Sequence, residues 1–205
     1  MTIKQKIALL LNLASAGFQF YCTIFSCITR GLSGFQYYTL DSNIFAGISS
    51  ILLVIFLLTT KAVPAWVHKL RYFGTCCVTV TFVVVITLLV PMAGWNTFSE
   101  MMFHENNLWM HTVCPLLCIF SFLFLEQEHT LKTKDVFLSI VPTIIYAIIA
   151  ITLNVLGILD GPYFFLRVQV IGVLKVIMWI FVVSIIVFLI SFLLKLGNEK
   201  LRKKA

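Results

Sequence analysis

The length of its apolar stretches constrains this chain more than any other feature. A helix needs about 20 mostly apolar residues to cross a bilayer, and six stretches of this sequence meet that requirement. They cover residues 7–29, about 41–60, 72–93, 108–125, 136–159 and 168–194. Because lipid offers no partner to an unpaired backbone group, these stretches must be helical. We therefore predict an all-α fold, an integral membrane bundle of six transmembrane helices.

The composition agrees with a bilayer environment. Charged residues make up 11% of the sequence and hydrophobic residues 60%, whereas a soluble domain is about 25% charged. A domain of this size cannot hide that much apolar surface in one core. This excludes a soluble globular protein, a disordered protein and a nucleic-acid-binding domain. We therefore predict that the chain associates with the bilayer and binds no nucleic acid.

The basic residues indicate the orientation of the spans. With the N-terminus in the cytoplasm, twelve of the fifteen lysines and arginines, Lys204 among them, lie on the cytoplasmic side. Arg30 and Arg167 lie outside, and Lys175 falls within the sixth span. By the positive-inside rule, both termini are cytoplasmic. The predicted location is a multi-pass membrane protein, in the plasma membrane if the source is bacterial.

The sequence is interpreted as one continuous domain that starts with a membrane span. The first residues resemble a secretory signal peptide, but the apolar stretch continues to residue 29, so we interpret it as the first span. No linker or internal repeat divides the sequence. We predict one domain over residues 1–205, and the sequence does not indicate an oligomeric state.

The cysteines do not form a metal-binding pattern. None of the six belongs to a CxxC pair, and cysteine within a membrane helix usually packs as a small apolar residue. His111, Cys114 and Cys118 share one helix face, but a metal would need a ligand from another helix. We predict packing there, with no metal and no cofactor.

Three polar places within the spans are candidates for function, because polar groups are costly in a membrane. The first is the 37–43 segment, which includes Tyr38, Thr39, Asp41 and Asn43. Its alternative role is a helix start, with Asp41 or Ser42 as N-cap and tyrosines at the interface.

The other two places are His111 and Lys175. His111 is either an interfacial hydrogen-bonding group or a general base. Lys175, about 12 Å below Arg167 in a continuous helix, either extends outward along its stem or pairs with Asp41 or an anionic substrate.

Thr39 and His111 have similar predicted depths. Both lie near the outer ends of spans that run in the same direction, so helix packing can bring them together. A hydroxyl nucleophile beside an imidazole base is the minimum for acyl transfer. No Gly-x-Ser-x-Gly, HExxH, P-loop or dinucleotide-binding pattern offers a competing site.

At these residues the chain resembles the androgen-induced protein family of multi-pass membrane hydrolases, which includes the androgen-dependent regulator of tissue factor pathway inhibitor and shorter bacterial relatives. Three blocks carry the likeness in order: Phe35-Gln36-Tyr37-Tyr38-Thr39, Asn107-x-x-Met110-His111-Thr112 with Pro115, and Gly157 to Leu166. The 40–43 segment looks more like the bacterial branch than the mammalian enzymes.

The resemblance implies a lipid ester hydrolase with Thr39 as nucleophile and His111 as base. Members of the family split lipid esters, notably fatty acid esters of hydroxy fatty acids. It names no group that orients His111, for which Asn107 and Asp41 are candidates. Tyr38, Asn43 or backbone amides at the start of the second span are candidates to stabilise an oxyanion.

Further roles and other functions stay open at this point. Arg167 or Lys175 are candidates to hold a carboxylate at the far end of a lipid substrate, and Pro115 and Pro142 are expected to kink their helices. The alternative function is a small transporter or lipid-binding membrane protein that uses Asp41, His111 and Lys175 as a relay. A structural subunit without a site is a third possibility.

Overall fold

The computed structural model describes residues 1–203, and over that range the chain is helical with no β-strand. Six helices are long and apolar enough to cross a membrane, which confirms the predicted bundle. Lys204 lies outside the described residues. The spans are α1 (Ile3–Gln36), α2 (Tyr38–Thr59), α3 (Ala65–Ala93), α4 (Glu105–Phe124), α5 (Thr133–Val155) and α6 (Val173–Arg202).

Helix α3 begins seven residues earlier than the apolar pattern predicts. Lys69 and Arg71 end the apolar stretch in the sequence, but both are paired in the structure. The guanidinium of Arg71 is fully buried and holds both carboxylate oxygens of Glu126, at 3.0 and 3.1 Å. Lys69 lies 3.2 Å from Asp135. Pairing offsets part of the cost of placing these charges in a helix of the bundle.

The start of α6 corrects the prediction for Lys175. The chain forms one short turn at Val168–Ile171 and breaks at Gly172, whose φ of 80° favours glycine. Helix α6 begins only at Val173, so Lys175 lies in its first turn and not two turns deep. Its side chain is exposed.

Pro115 and Pro142, at which kinks are expected, both follow irregular turns of their helices. Helix α5 is interrupted at Ser139 and Ile140, and Pro142 lies in the first turn of its second segment, Val141–Val155. In α4, Pro115 follows a π-helical segment, Leu108–Val113. Helix α3 contains a second π-helical segment, Val85–Leu89. Wide turns of this kind often occur at functional sites.

Helices α1 to α4 form the main packing unit, and α6 packs against α3 and α4. At Gly74 the backbones of α2 and α3 approach so closely that a Cβ atom there would lie 3.0 Å from Cα of Ala46. This close approach holds the start of α2 at a fixed depth beside α3.

The beginning and end of the described chain meet at one end of the bundle. There Lys4 donates to Gln127 at 2.6 Å, and Arg202 donates to Thr130 at 2.6 Å. An even number of spans brings both ends to one side. Arg30 and Arg167 lie at the opposite end, where they line a common cavity.

Candidate active site

Thr39 is the second residue of α2. Tyr37 has extended backbone and precedes the helix, so neither Asp41 nor Ser42 is the N-cap, and Asp41 lies in the first turn. In this first turn the N–H groups of Leu40 and Asp41 donate to the carbonyl of Tyr37, which leaves those of Tyr38 and Thr39. The Thr39 hydroxyl therefore lies at the positive end of the α2 dipole.

His111 lies in the π-helical segment of α4 and contacts Thr39 directly. Its Nε2 is 3.3 Å from Oγ1 of Thr39, and its Nδ1 is 2.6 Å from the carbonyl oxygen of Met101. A carbonyl oxygen only accepts, so Nδ1 carries the proton and Nε2 offers its lone pair to the hydroxyl. This is the tautomer that a general base toward Thr39 requires.

Two further contacts hold the pair in place. The side chain of Thr112 donates to the carbonyl of Met102 at 2.8 Å, so the helix at Phe98–Phe103 is tied to α4 by adjacent residues. The Asn43 amide donates to the carbonyl oxygens of Thr39 at 2.8 Å and of Met110 at 3.3 Å. Asn43 thereby joins α2 to the turn that carries His111.

Thr39 lies where two cavities meet. We call the larger the vestibule; it has a volume of about 950 Å³ and is lined by Thr39, His111, Arg30, Arg167 and other residues at the end opposite the chain termini. The smaller, the apolar slot, has about 140 Å³ and is lined mainly by aliphatic and aromatic residues of α3, α5 and α6. Thr39, Val85, Leu89 and Tyr163 line both cavities.

The apolar slot faces the bilayer between α5 and α6. Its lining includes Ile144 and Ile148 of α5 and Ile180 of α6, all exposed on the surface of the bundle. A hydrocarbon chain can therefore enter from the lipid without crossing the aqueous phase.

The other predicted site residues divide into two groups. Asn107 and Arg167 line the vestibule, although the Asn107 amide donates to the carbonyl of Glu100 and Nε of Arg167 donates to the carbonyl of Gly161. Tyr38 lines the apolar slot, and its hydroxyl is 2.8 Å from Oγ1 of Thr143. The structure does not bring Asp41 or Lys175 to the pair.

Asp41 lines a separate cavity of about 540 Å³ between α2 and α5. Within residues 1–203 the ion pairs are Lys69–Asp135, Arg71–Glu126 and Lys195–Glu199, so the pairing of Lys175 with Asp41, one of the alternatives for that lysine, is not formed. The late start of α6 explains this, because Lys175 lies at the rim of the bundle.

Tyr163 is a further residue of the site, and the sequence pattern alone does not single it out. Its hydroxyl lies beside the hydroxyl of Thr39 and the backbone N–H groups of Tyr38 and Thr39. Burial raises the pKa of Tyr163 to about 12, so the phenol stays protonated at neutral pH. The only signal in the sequence was its position in the aromatic 157–166 segment.

The side chains of His111 and Cys118, which share a helix face with Cys114, form contacts with other protein groups. Both ring nitrogens of His111 have partners, and Sγ of Cys118 is 3.4 Å from Oγ of Ser15. Across residues 1–203, no group of three or more His, Cys, Asp or Glu side chains is arranged to hold a metal ion.

The chain was compared with protein families, curated proteins and solved structures. No protein-family model, curated protein or solved structure matches the chain. Its fold and the geometry at Thr39 are therefore the basis of the functional argument.

Proposed function

We propose that this protein is an intramembrane lipid ester hydrolase in which Thr39 is the nucleophile and His111 the general base. The observation that carries the proposal is the 3.3 Å contact between Oγ1 of Thr39 and Nε2 of His111, whose Nδ1 proton is held by the Met101 carbonyl. In a hydrolytic triad a carboxylate usually orients the histidine. Here a backbone carbonyl has that role, and neither Asp41 nor Asn107 is needed for it.

Acylation follows from this arrangement. Nε2 of His111 takes the proton of Thr39 as Oγ1 attacks the ester carbonyl, and the carbonyl oxygen gains the negative charge. The tetrahedral intermediate collapses with cleavage of the bond to the alcohol oxygen, which receives the proton from His111. The products of this half-reaction are the free alcohol and acyl-Thr39.

Deacylation uses the same groups in the opposite sense. Water from the vestibule gives its proton to His111 and attacks the acyl carbonyl. Collapse returns the proton to Oγ1 of Thr39 and releases the fatty acid. A polar cavity on one side of Thr39 supplies that water, while the apolar slot on the other side retains the hydrocarbon.

The two cavities support a lipid ester as substrate. The apolar slot fits an acyl chain that enters between α5 and α6, and the vestibule fits the polar remainder. Arg30 and Arg167 line the vestibule and provide cationic groups for a carboxylate, as in the fatty acid esters of hydroxy fatty acids that the family resemblance implies. The site then faces the outer side of the membrane, which is the plasma membrane if the source is bacterial.

The proposal is tested with purified full-length protein and p-nitrophenyl octanoate. Thr39→Val removes only the hydroxyl, and we expect it to lower kcat at least about 1,000-fold. His111→Ala should have a comparable effect because the hydroxyl then lacks a base. Labelling by a fluorophosphonate probe should disappear in both variants.

Asp41→Asn is the matched control, since Asp41 lies one half-turn from Thr39 but lines another cavity. It should retain kcat within about twofold. Equal hydrolysis and equal labelling by the wild type and Thr39→Val would refute the assignment. A relay of Asp41, His111 and Lys175 in a transporter has no support from these positions, because the three residues share no cavity lining.

A further inference from the structure

Tyr163 is held rigidly at the junction of the two cavities. Its ring stacks on Phe165 at 5.3 Å between centroids and meets the edge of Tyr146 at 6.3 Å. The 3-10 turn at Phe164–Leu166, with Phe165 and Leu166 buried, anchors the loop that carries it. Tyr163 and Thr39 both line the vestibule and the apolar slot. A substrate that bridges the cavities must therefore contact both residues.

The direction of the Tyr163 proton follows from its neighbours. The backbone N–H groups of Tyr38 and Thr39 can only donate, so toward them the phenol oxygen can only be an acceptor. The Thr39 hydroxyl is directed at the lone pair of Nε2 on His111, so its oxygen is left to accept from a neighbouring donor. The phenolic O–H is such a donor, because Tyr163 lines both cavities beside Thr39.

We propose that Tyr163 is a catalytic residue that donates a hydrogen bond to the ester carbonyl oxygen as that oxygen becomes an oxyanion on Thr39. This inference rests on the proposed hydrolase function and supplies its oxyanion donor. During attack, a lone pair of Oγ1 forms the new bond to carbon. The phenolic hydrogen is then directed at the carbonyl oxygen, which gains the negative charge beside it.

No proton transfer is needed in this step. Tyr163 keeps its proton throughout, and its high pKa agrees with that role. The Thr39 proton passes to His111 and then to the alcohol. The free N–H groups of Tyr38 and Thr39 are the second source of donors, because they lie at the same helix start.

The other polar side chains near Thr39 are engaged elsewhere. The Tyr38 hydroxyl contacts Thr143, and the Asn43 amide is used by two backbone carbonyls. The Asn107 amide donates to Glu100. Tyr163 is therefore the side chain that combines a position beside Thr39 on both cavities with a hydroxyl hydrogen available to the reacting atoms.

The test is Tyr163→Phe, which keeps the stacked ring and removes the hydroxyl. With p-nitrophenyl octanoate and full-length protein in nanodiscs, we expect kcat to fall about 100-fold, as for loss of one oxyanion donor. KM should change less than about threefold, because the donor acts on the transition state. The melting temperature is measured in parallel to show that the variant is folded.

Tyr72→Phe is the matched control, because it removes a buried phenol that donates to the carbonyl of Ser191 at 2.7 Å, away from both cavities. It should keep the wild-type kcat even if its melting temperature falls. A folded Tyr163→Phe protein with kcat within about twofold of wild type would overturn the inference while leaving Thr39 and His111 intact as nucleophile and base. Wild-type protein that hydrolyses no faster than Thr39→Val would overturn the proposed function itself.

Discussion

At the scale of single residues, a buried ion pair between Arg71 and Glu126 lies at the other end of the bundle from Thr39. Arg71 and Glu126 are both almost completely buried, and four other side chains hydrogen-bond to the pair. Ser49 and Ser50 accept from Arg71 at 3.4 and 2.8 Å, and Ser121 and Asn12 donate to Oε1 of Glu126. His68 contacts the backbone carbonyl of Glu126. This network connects α1, α2, α3 and α4 at the end of the bundle where the chain termini meet.

Glu126→Gln should therefore destabilise the bundle strongly. Removing one charge leaves Arg71 buried without its counter-ion, and breaking such a pair costs about 3–5 kcal/mol. We expect a large drop in the melting temperature in detergent. Glu128→Gln, an exposed acid two residues away, should shift stability by less than about 1 kcal/mol. Equal stability of the two variants would contradict the buried-pair interpretation.

The same carboxylate gives a pH dependence. Burial alone raises the pKa of Glu126, but Arg71 and the hydrogen bonds outweigh burial and hold the pKa below its ordinary value of 4.5. A carboxylate whose pKa is lower in the folded state than in the unfolded state stabilises the fold at pH values above its unfolded-state pKa. That stabilisation is lost as the pH falls through the folded-state pKa. The stability difference between wild type and Glu126→Gln should thus be constant above pH 4.5 and shrink below it.

How far these residues can be predicted from the sequence depends on the range of their contacts. Thr39 and His111 are identifiable because each is a polar group near the outer end of an apolar span. The apolar pattern leaves Arg71 outside the third span, because its partner Glu126 is 55 positions away and the sequence does not show the pairing. Tyr163 gives no such signal, because only the folded loop brings it to Thr39.

At the scale of the helices, number and type were predictable and local irregularities were not. Long apolar runs predict spans because the bilayer sets their length. The π-helical segments, the break at Gly172 and the early start of α3 depend on tertiary contacts that no periodicity encodes. These irregularities are also what position the candidate site, because His111 lies on one π-helical segment and Val85 and Leu89 on the other.

The packing of α5 against α6 makes a prediction about substrate length. Ala147 of α5 lines the apolar slot, and an indole there would fill much of its volume. Ala147→Trp should lower kcat/KM for p-nitrophenyl decanoate relative to the acetate at least about tenfold, since each methylene that loses its site costs about 1–3 kcal/mol.

Ile149→Trp is the control, because Ile149 is two residues along α5 and does not line the apolar slot. It should leave the ratio of kcat/KM for the decanoate to kcat/KM for the acetate unchanged. A ratio that is equally unchanged in Ala147→Trp would mean that the acyl chain binds elsewhere.

At the scale of the whole molecule, the distribution of charge predicts the orientation. Lys4, Lys61 and Lys132 belong to the end where the chain termini meet, and Arg30 and Arg167 to the other. The structure shows which groups share an end, but the assignment of that end to the cytoplasm depends on the positive-inside rule.

Cysteine labelling checks this orientation. In a Cys27→Ala background, Leu32→Cys places a thiol at an exposed position beside Arg30, and Ala62→Cys places one at the opposite end. A membrane-impermeant maleimide should label Leu32→Cys in intact cells and Ala62→Cys only after permeabilisation. The reverse labelling pattern would mean that the vestibule opens to the cytoplasmic side of the membrane.

The π-helical turn of α4 also limits which mutations the site can tolerate in evolution. A π turn holds an extra residue compared with an α turn. Loss of one residue from Leu108–Val113 would restore a regular α-helix and change the direction of the side chains within that segment, His111 among them. Substitutions nearby can leave His111 directed at Thr39, whereas a single-codon deletion cannot. Among divergent homologues that keep this chemistry, the length of this segment should therefore be preserved more strictly than its sequence.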